Sequence, residues 1–134
     1  MLDQKITIIA NPAAGGGKVK LHLQTYQSVI SNSLGSVDYR FTTHSGHGIE
    51  LAESAVLDGT DVVISLGGDG THNEVINGVM SARHVNPDVQ VGILPSGTGG
   101  DFRKTLYPTK DFDVCIRQLA DLPPIAVDVG RTLF

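Results

Sequence analysis

Three short apolar segments in this sequence of 134 residues are each followed closely by a glycine-rich turn. The segments span residues 5–10, 61–66 and 89–94. The turns contain Gly15-Gly16-Gly17, Gly67-Gly68-Asp69-Gly70 and Gly97-Thr98-Gly99-Gly100. Short segments that are almost wholly apolar are typical of strands covered on both faces, as in a parallel sheet. Because glycine is costly to order, its clustering after strands predicts that the backbone there approaches a ligand closely.

Between these segments the apolar residues adopt a helical spacing. A first helix is predicted to begin at Lys18, with apolar positions at i, i+4, i+7 and i+11. These positions are Val19, Leu23, Tyr26 and Ile30. A second helix is predicted over residues 49–57, ended by Gly59. Thr71-x-x-Glu74 predicts a capping box at the start of a third helix. The buried face of this third helix is predicted to contain Val75, Ile76, Val79 and Met80.

Further strands are predicted over residues 37–41 and 125–129, and a short helix through residues 102–106. Another helix is predicted after Asp111, with inward residues Phe112, Cys115, Ile116 and Leu119. Strands that alternate with helices predict an α/β fold, a three-layer, doubly wound, mostly parallel sheet with helices on both faces. Ligands bind such sheets at the carboxyl ends of the strands, so the three glycine turns predict one site.

Composition restricts the functional classes. A formal net charge of −4 and the absence of Trp argue against a nucleic-acid partner, which needs a basic surface or stacking rings. The single cysteine, Cys115, cannot form an internal disulfide, which indicates a reducing compartment. No apolar stretch approaches the ~20 residues of a membrane span. We therefore expect one cytoplasmic domain.

Glycine turns that expose backbone N–H groups at helix starts are suited to binding phosphate. Neither of the two common phosphate-binding motifs fits this sequence, however. The P-loop pattern fails because Pro12 replaces its first glycine and Val19 follows Lys18 where Ser or Thr is needed. The dinucleotide pattern G-x-G-x-x-G fails twice, since its last position falls on Asn73 and on Phe102. The sequence therefore has phosphate-type turns without either common pattern.

Asp69 is an unexpected residue in a phosphate turn, because its carboxylate would repel a polyphosphate unless a cation such as Mg²⁺ lies between them. The structural alternative is that Asp69 forms an Asx-turn or caps the helix. Thr71 is itself a candidate helix cap, and Asn73 and Glu74 can be ordinary first-turn residues. Three histidines lack a spacing typical of metal ligands: His44, His47 and His72.

Several motifs occur together in a fixed order. They are Asn11-Pro12-x-x-Gly15, Thr42-Thr43 with Gly46-His47 and Glu50-Leu51-Ala52, Gly67-Gly68-Asp69-Gly70-Thr71, and Pro95-x-Gly97-Thr98-x-Gly100-Asp101-Phe102. In this combination the chain resembles the diacylglycerol kinase catalytic domain family, which includes bacterial lipid kinases and the sphingosine and ceramide kinases. One departure is Gly100, where the family usually has Asn.

The resemblance implies phosphorylation of a lipid hydroxyl, on diacylglycerol or a related lipid, with ATP and Mg²⁺. Residues 1–134 would be the ATP-binding N-terminal domain, and the β-rich C-terminal domain of the family would be absent from this chain. The chain alone would then be inactive. Asp69 would be the catalytic and metal-binding residue. The implied cofactor-binding residues are Asn11, Gly15, Thr43, Gly67, Gly68, Asp69, Gly70, Thr71, Asn73, Glu74, Gly97 and Thr98.

The implied partner is a diacylglycerol-like lipid, with transient contact at a membrane surface, and a homodimer is left open. Three alternatives remain. An NAD kinase-like domain shares the Gly-Gly-Asp-Gly-Thr turn, although the first and third turns favour the lipid branch. A nucleotide-binding module without turnover would keep the site and lack the chemistry. A domain whose glycines are only turns would bind no nucleotide.

Overall fold

The computed structural model describes residues 4–95 and 112–121, in which strands alternate with helices. The strands are β1 (Ile6–Ala10), β2 (Asp38–Phe41), β3 (Val62–Gly67) and β4 (Gln90–Pro95). The helices are α1 (Ala14–Leu21), α2 (Leu23–Leu34), α3 (His47–Leu57), α4 (Asp69–Ala82) and α5 (Phe112–Asp121). The strand predicted at 125–129, the helix at 102–106 and the third turn with Gly97 and Thr98 lie outside the described residues.

The four strands form one parallel sheet in the order β2-β1-β3-β4. Ile8 of β1 pairs with Tyr39 of β2 on one side and with Ile64 of β3 on the other, and Ile64 pairs in turn with Gly92 of β4. The chain thus leaves β1 in one direction to form β2 and then crosses to the opposite side for β3. The carboxyl ends of β1 and β3 therefore flank a topological switch point, where α/β sheets bind ligands.

Helices cover both faces of this sheet. On one face Ile8 and Ile64 pack with Val19 of α1, Ile30 of α2 and Ile116 of α5, all fully buried. The other face packs against α3 and α4, and its buried residues are Ile9, Ala52, Ala55, Val56, Val63, Val75, Val79 and Ala82. Because successive strand residues point to opposite faces, strands covered on both sides are largely apolar, as β1 and β3 are. The predicted three-layer α/β fold is confirmed.

Two details of the helices differ from prediction. The first predicted helix is interrupted at His22 (φ −106°, ψ 15°), which separates α1 from α2 and leaves Leu21 77% exposed. The spacing of apolar residues did not reveal this break, because Val19 before it and Leu23 after it keep the i, i+4 spacing of one continuous helix. The prediction that Met80 is buried is wrong, since it is 42% exposed. Ile76 and Met80 lie four residues apart, at the border of the buried stripe of α4.

Candidate functional site

The loops after β1, β2 and β3 line one cleft at the carboxyl edge of the sheet. The cleft has a volume of about 530 Å³. Its lining residues are Asn11, Pro12, Ala13, Ala14, Gly15, Thr42, Thr43, His44, Ser45, Gly68, Gly70, Thr71 and Glu74. The first two glycine turns of the sequence are thus brought together at the switch point, and the loop after β2 completes the wall.

The residues named in the sequence analysis fall into three groups. Those that line the cleft are Asn11, Gly15, Thr43, Gly68, Gly70, Thr71 and Glu74. Gly67, Asp69 and Asn73 are not among its lining: Gly67 is buried at the end of β3, Asn73 is exposed on α4, and the Oδ1 atom of Asp69 is buried. Gly97 and Thr98 lie outside the described residues.

The turn after β1 requires its glycines. Although they fall within the bounds of α1, Gly15, Gly16 and Gly17 are not helical: their φ angles are positive, at 64°, 68° and 92°. A left-handed conformation costs other residues roughly 1–2 kcal/mol each, because the Cβ atom approaches the following carbonyl oxygen. The turn begins with Asn11, whose Oδ1 atom accepts a hydrogen bond from the N–H of Ala13 (3.0 Å). These residues hold the backbone of the turn against the cleft.

The turn after β3 leads directly into α4, which begins earlier than the sequence predicted. Gly68, in an extended conformation (φ −97°, ψ −172°), is the flanking residue, and the helix begins at Asp69 with no side-chain cap. The capping-box prediction is therefore wrong, because Thr71 is already the third helical residue and is 5% exposed. A Cβ atom on Gly67 would lie 2.5 Å from the Thr71 Oγ1 atom, so this glycine permits Thr71 to pack over the strand end.

A buried polar pair lies beneath this turn. The Nδ1 atom of His72 lies 2.7 Å from the Oγ atom of Ser65, and His72 is 1% exposed. Burial lowers the pKa of His72 to about 4, and the nearby Asp69 carboxylate opposes this shift. The hydrogen bond joins β3 to α4 across the glycines between them. Sequence analysis missed the pair because Ser65 is one of the few polar residues inside an apolar strand and gives no periodic signal.

Glu74 acts at a site that the sequence did not predict. Its Oε1 atom accepts a hydrogen bond from the backbone N–H of Gly48, in the first turn of α3 (2.9 Å). A capping box would require Glu74 to accept a hydrogen bond at the N-terminus of its own helix, α4. Instead, Glu74 bonds to the neighbouring helix α3.

The loop after β2 and the first residue of α3 each place an imidazole ring at or beside the cleft. His44, which lines it, stacks on His47 with ring centroids 4.5 Å apart and planes 10° from parallel. The backbone N–H of Thr43 donates to the Nδ1 atom of His47 (3.0 Å). Six residues that line the cleft were not predicted as site residues: Pro12, Ala13, Ala14, Thr42, and the polar His44 and Ser45. For His44 and Ser45, the position directly after Thr43 was the available signal.

Within residues 4–95 and 112–121, no group of three or more His, Cys, Asp or Glu side chains is arranged to hold a metal ion. The fold and the cleft define a class: a doubly wound α/β domain with glycine-rich turns lining a cleft at its switch point.

Within that class, the chain belongs to the diacylglycerol kinase catalytic domain family, whose model matches residues 5–132. It is 32% identical over 129 residues to the diacylglycerol kinase of Bacillus subtilis, which covers 96% of this chain and 42% of that protein. It is 30% identical over 130 residues to the diacylglycerol kinase of Staphylococcus aureus, covering 97% of this chain and 40% of the relative.

Among solved structures, the fold resembles that of a diacylglycerol kinase from Bacillus anthracis, with a TM-score of 0.71 at 24% identity. The match covers 87% of this chain and 42% of that one. The chain thus spans about two fifths of the length of the relatives that it matches.

Proposed function

We propose that this chain is the ATP-binding part of a lipid kinase that transfers the terminal phosphoryl group of ATP to a hydroxyl of diacylglycerol or a related lipid. The observation that carries the proposal is the meeting of two glycine turns and the start of α4 in one cleft at the switch point. Membership of the diacylglycerol kinase catalytic domain family supports the choice of a lipid kinase.

The start of α4 is suited to the phosphates of ATP. The first N–H groups of any helix have no intrahelical acceptor, and the helix dipole places partial positive charge at that end. Gly68 and Gly70 border the cleft at this point, and neither carries a side chain that would keep a phosphate from the backbone. Transfer of a phosphoryl group depends mainly on such positioning and charge neutralisation.

Asp69 is the residue in this turn with the chemistry for a role toward Mg²⁺, although it does not line the cleft and its Oδ1 atom is buried. A magnesium ion bound with a nucleotide is commonly held by one or two carboxylates together with phosphate oxygens and water, so one protein carboxylate suffices. Asp69 stands first in α4, between the two glycines that border the cleft. When bound, Mg²⁺ would neutralise negative charge on the phosphates. We assign to Asp69 the orientation of that Mg²⁺–phosphate assembly.

The lipid site and the general base are proposed to lie in the part of the family's length that residues 1–134 do not span, in a β-rich domain. The chain's match to about two fifths of its relatives supports this division, because it leaves most of their length for such a domain. In the described ranges, none of the helices has the length and apolar character of a membrane-spanning segment. Separately, because diacylglycerol-like lipids reside in membranes, we propose that the enzyme meets its lipid substrate at a membrane surface.

The proposal is tested first by calorimetric titration of the chain with Mg·ATP, in parallel with Asp69→Asn and with NAD as a competing ligand. We expect saturable binding of ATP that the substitution weakens at least tenfold, since it removes a full charge next to the metal–phosphate assembly. Displacement of ATP by NAD would favour an NAD kinase-like domain. Absence of binding to both nucleotides would contradict the proposal.

The lipid kinase assignment is tested in a chimera. This chain replaces the matching 129-residue segment of the B. subtilis diacylglycerol kinase, and phosphate transfer to diacylglycerol in mixed micelles is measured. Activity that disappears with Asp69→Asn supports the assignment. A folded chimera that binds Mg·ATP without turnover would favour a nucleotide-binding module.

A substitution at Gly70 tests the phosphate position, because packing within the described part of the chain does not require a glycine at this residue. A Cβ atom built at Gly70 meets no atom of the described residues within 4 Å, and the residue lies within α4. Gly70→Ala is expected to raise the unfolding free energy by about 0.5 kcal/mol through helix propensity. The same change should weaken Mg·ATP binding severalfold, because the new methyl group enters the cleft. Thermal denaturation and calorimetry measure the two effects, and unchanged affinity would contradict the phosphate position.

A further inference from the structure

The side chain of Glu74 crosses from α4 to the beginning of α3. Its Oε1 atom accepts a hydrogen bond from the N–H of Gly48 over 2.9 Å. A Cβ atom built on Gly48 would lie 2.9 Å from that oxygen and 3.0 Å from the Cβ atom of Glu74. A side chain at position 48 would therefore displace the carboxylate, so this contact depends on glycine.

No side chain at the N-terminus of α3 accepts a hydrogen bond from the N–H of Gly48, which instead donates to Glu74. The flanking residue Gly46 is left-handed (φ 85°) and makes no side-chain hydrogen bond. The N–H groups of His47 and Ile49 donate to nearby backbone carbonyls, whereas that of Gly48 donates to Glu74. A carboxylate at a helix N-terminus is also favoured by the helix dipole. Glu74 thus holds the first turn of α3 from the neighbouring helix.

The beginning of α3 is in turn bonded to the loop after β2. The N–H of Thr43 donates to the Nδ1 atom of His47, and the Thr43 hydroxyl lies 2.9 Å from the Nδ1 atom of His44. Thr43 and His44 line the cleft. Contacts therefore run from Thr43 through His47 and Gly48 to Glu74. They join the cleft wall formed after β2 to the helix that follows the phosphate-type turn.

We propose that Glu74 is a positioning residue for ATP: through Gly48 it fixes the loop at 42–45 relative to the start of α4, and so sets the width of the cleft. The inference rests on the proposed ATP binding and deepens it, because it assigns to Glu74 a role other than direct contact with the nucleotide. Loss of the carboxylate or displacement of it by a side chain at position 48 should have the same effect.

A second hydrogen bond between the same two helices provides a matched control. The Ser81 hydroxyl donates to the Oε2 atom of Glu53 over 2.9 Å, and neither residue lines the cleft. Glu53→Ala therefore removes a carboxylate that bridges α3 and α4 without touching the loop at 42–45. Glu53→Ala thus shows how much Mg·ATP affinity changes when a hydrogen bond between α3 and α4 is lost away from the cleft.

The experiment measures Mg·ATP affinity by calorimetry in five variants of the full chain, and amide hydrogen exchange at Gly48 by NMR in the three that keep this glycine. The five variants are Glu74→Ala, Glu74→Gln, Gly48→Ala, Glu53→Ala and the double variant of Glu74→Ala with Gly48→Ala. We expect Glu74→Ala and Gly48→Ala each to weaken ATP binding about tenfold, the double variant to be no worse than either, and Gly48 to lose protection in Glu74→Ala. Glu74→Gln keeps an oxygen acceptor and should stay within a fewfold of the unmodified chain, as should Glu53→Ala.

Three results would overturn the inference. If Glu74→Ala weakens binding but Gly48→Ala does not, Glu74 acts on the nucleotide directly. If Glu53→Ala weakens binding equally, the effect belongs to helix packing in general. If exchange at Gly48 is unchanged in Glu74→Ala, the hydrogen bond does not hold α3. This last readout tests the Glu74–Gly48 contact independently of ATP, whereas absence of ATP binding to the unmodified chain would refute the proposed function separately.

Discussion

Lowering the pH from 7 to 4.5 is expected to remove about 2 kcal/mol of unfolding free energy through His72 alone. Burial lowers the pKa of this residue to about 4 from an ordinary value of 6.5. Between these values the unfolded chain binds a proton that the folded chain excludes, so stability rises with pH in this window and falls on acidification. The difference of about 2.5 pH units between the pKa of His72 in the unfolded and folded chain corresponds to a loss of about 3 kcal/mol in unfolding free energy. This full loss is reached below pH 4.

The measurement is a series of urea unfolding curves between pH 4.5 and 7 for the unmodified chain, His72→Asn and His84→Asn. His72→Asn should be less stable at pH 7, because the contact with Ser65 is altered, and it should lose most of the pH dependence in this range. His84 is an exposed histidine that follows α4, so His84→Asn should keep the pH dependence. Retention of the full dependence in His72→Asn would show that other groups cause it.

The substitution Gly78→Ala is expected to lower the unfolding free energy by about 3 kcal/mol. Gly78 lies where α4 crosses α3, and a Cβ atom there would overlap the carbonyl oxygen of Ile49 and lie 2.8 Å from the Cβ atom of Ala52. Because the Ile49 carbonyl belongs to the backbone, no rotamer change relieves the overlap. The helices would have to separate, and the gain in helix propensity, about 1 kcal/mol, offsets only part of this cost.

Gly70→Ala is the internal control for this prediction. It makes the same substitution in the same helix, at a position where the described residues leave room for a Cβ atom, and its expected effect on stability has the opposite sign. Circular dichroism during thermal unfolding measures both variants. Equal effects of the two substitutions would contradict a close crossing of α3 and α4 at Gly78.

The sheet could be predicted from the sequence because its signals are local. The strands β1, β3 and β4 are short apolar segments, and the phosphate-type turns follow them within a few residues. Because the strands are parallel, their carboxyl ends lie at one edge of the sheet, and the structure places β1 and β3 side by side there. The glycine turns identified Gly15, Gly68 and Gly70 as residues of one site, the family resemblance added Asn11, and all four line the cleft.

The side-chain partners in this site could not be predicted in the same way. Thr71-x-x-Glu74 fits a capping box as a local pattern, but α4 begins at Asp69 and Glu74 bonds to Gly48, 26 residues earlier in the chain. A local pattern carries no information about which helix will lie beside it. The packing of α3 against α4 determines that Glu74 bonds to Gly48 and not to the N-terminus of its own helix.

The sequence by itself determined the order of strands and helices, the two-sided burial of the sheet and the placement of glycine turns at its edge. These features depend on the apolar period and on backbone freedom, which are properties of short segments. Only the tertiary structure decided that His72 is buried against Ser65 and that Glu74 connects the cleft walls. These contacts depend on the distance between elements, and that distance is set when glycines such as Gly48 and Gly78 let two helices approach each other closely.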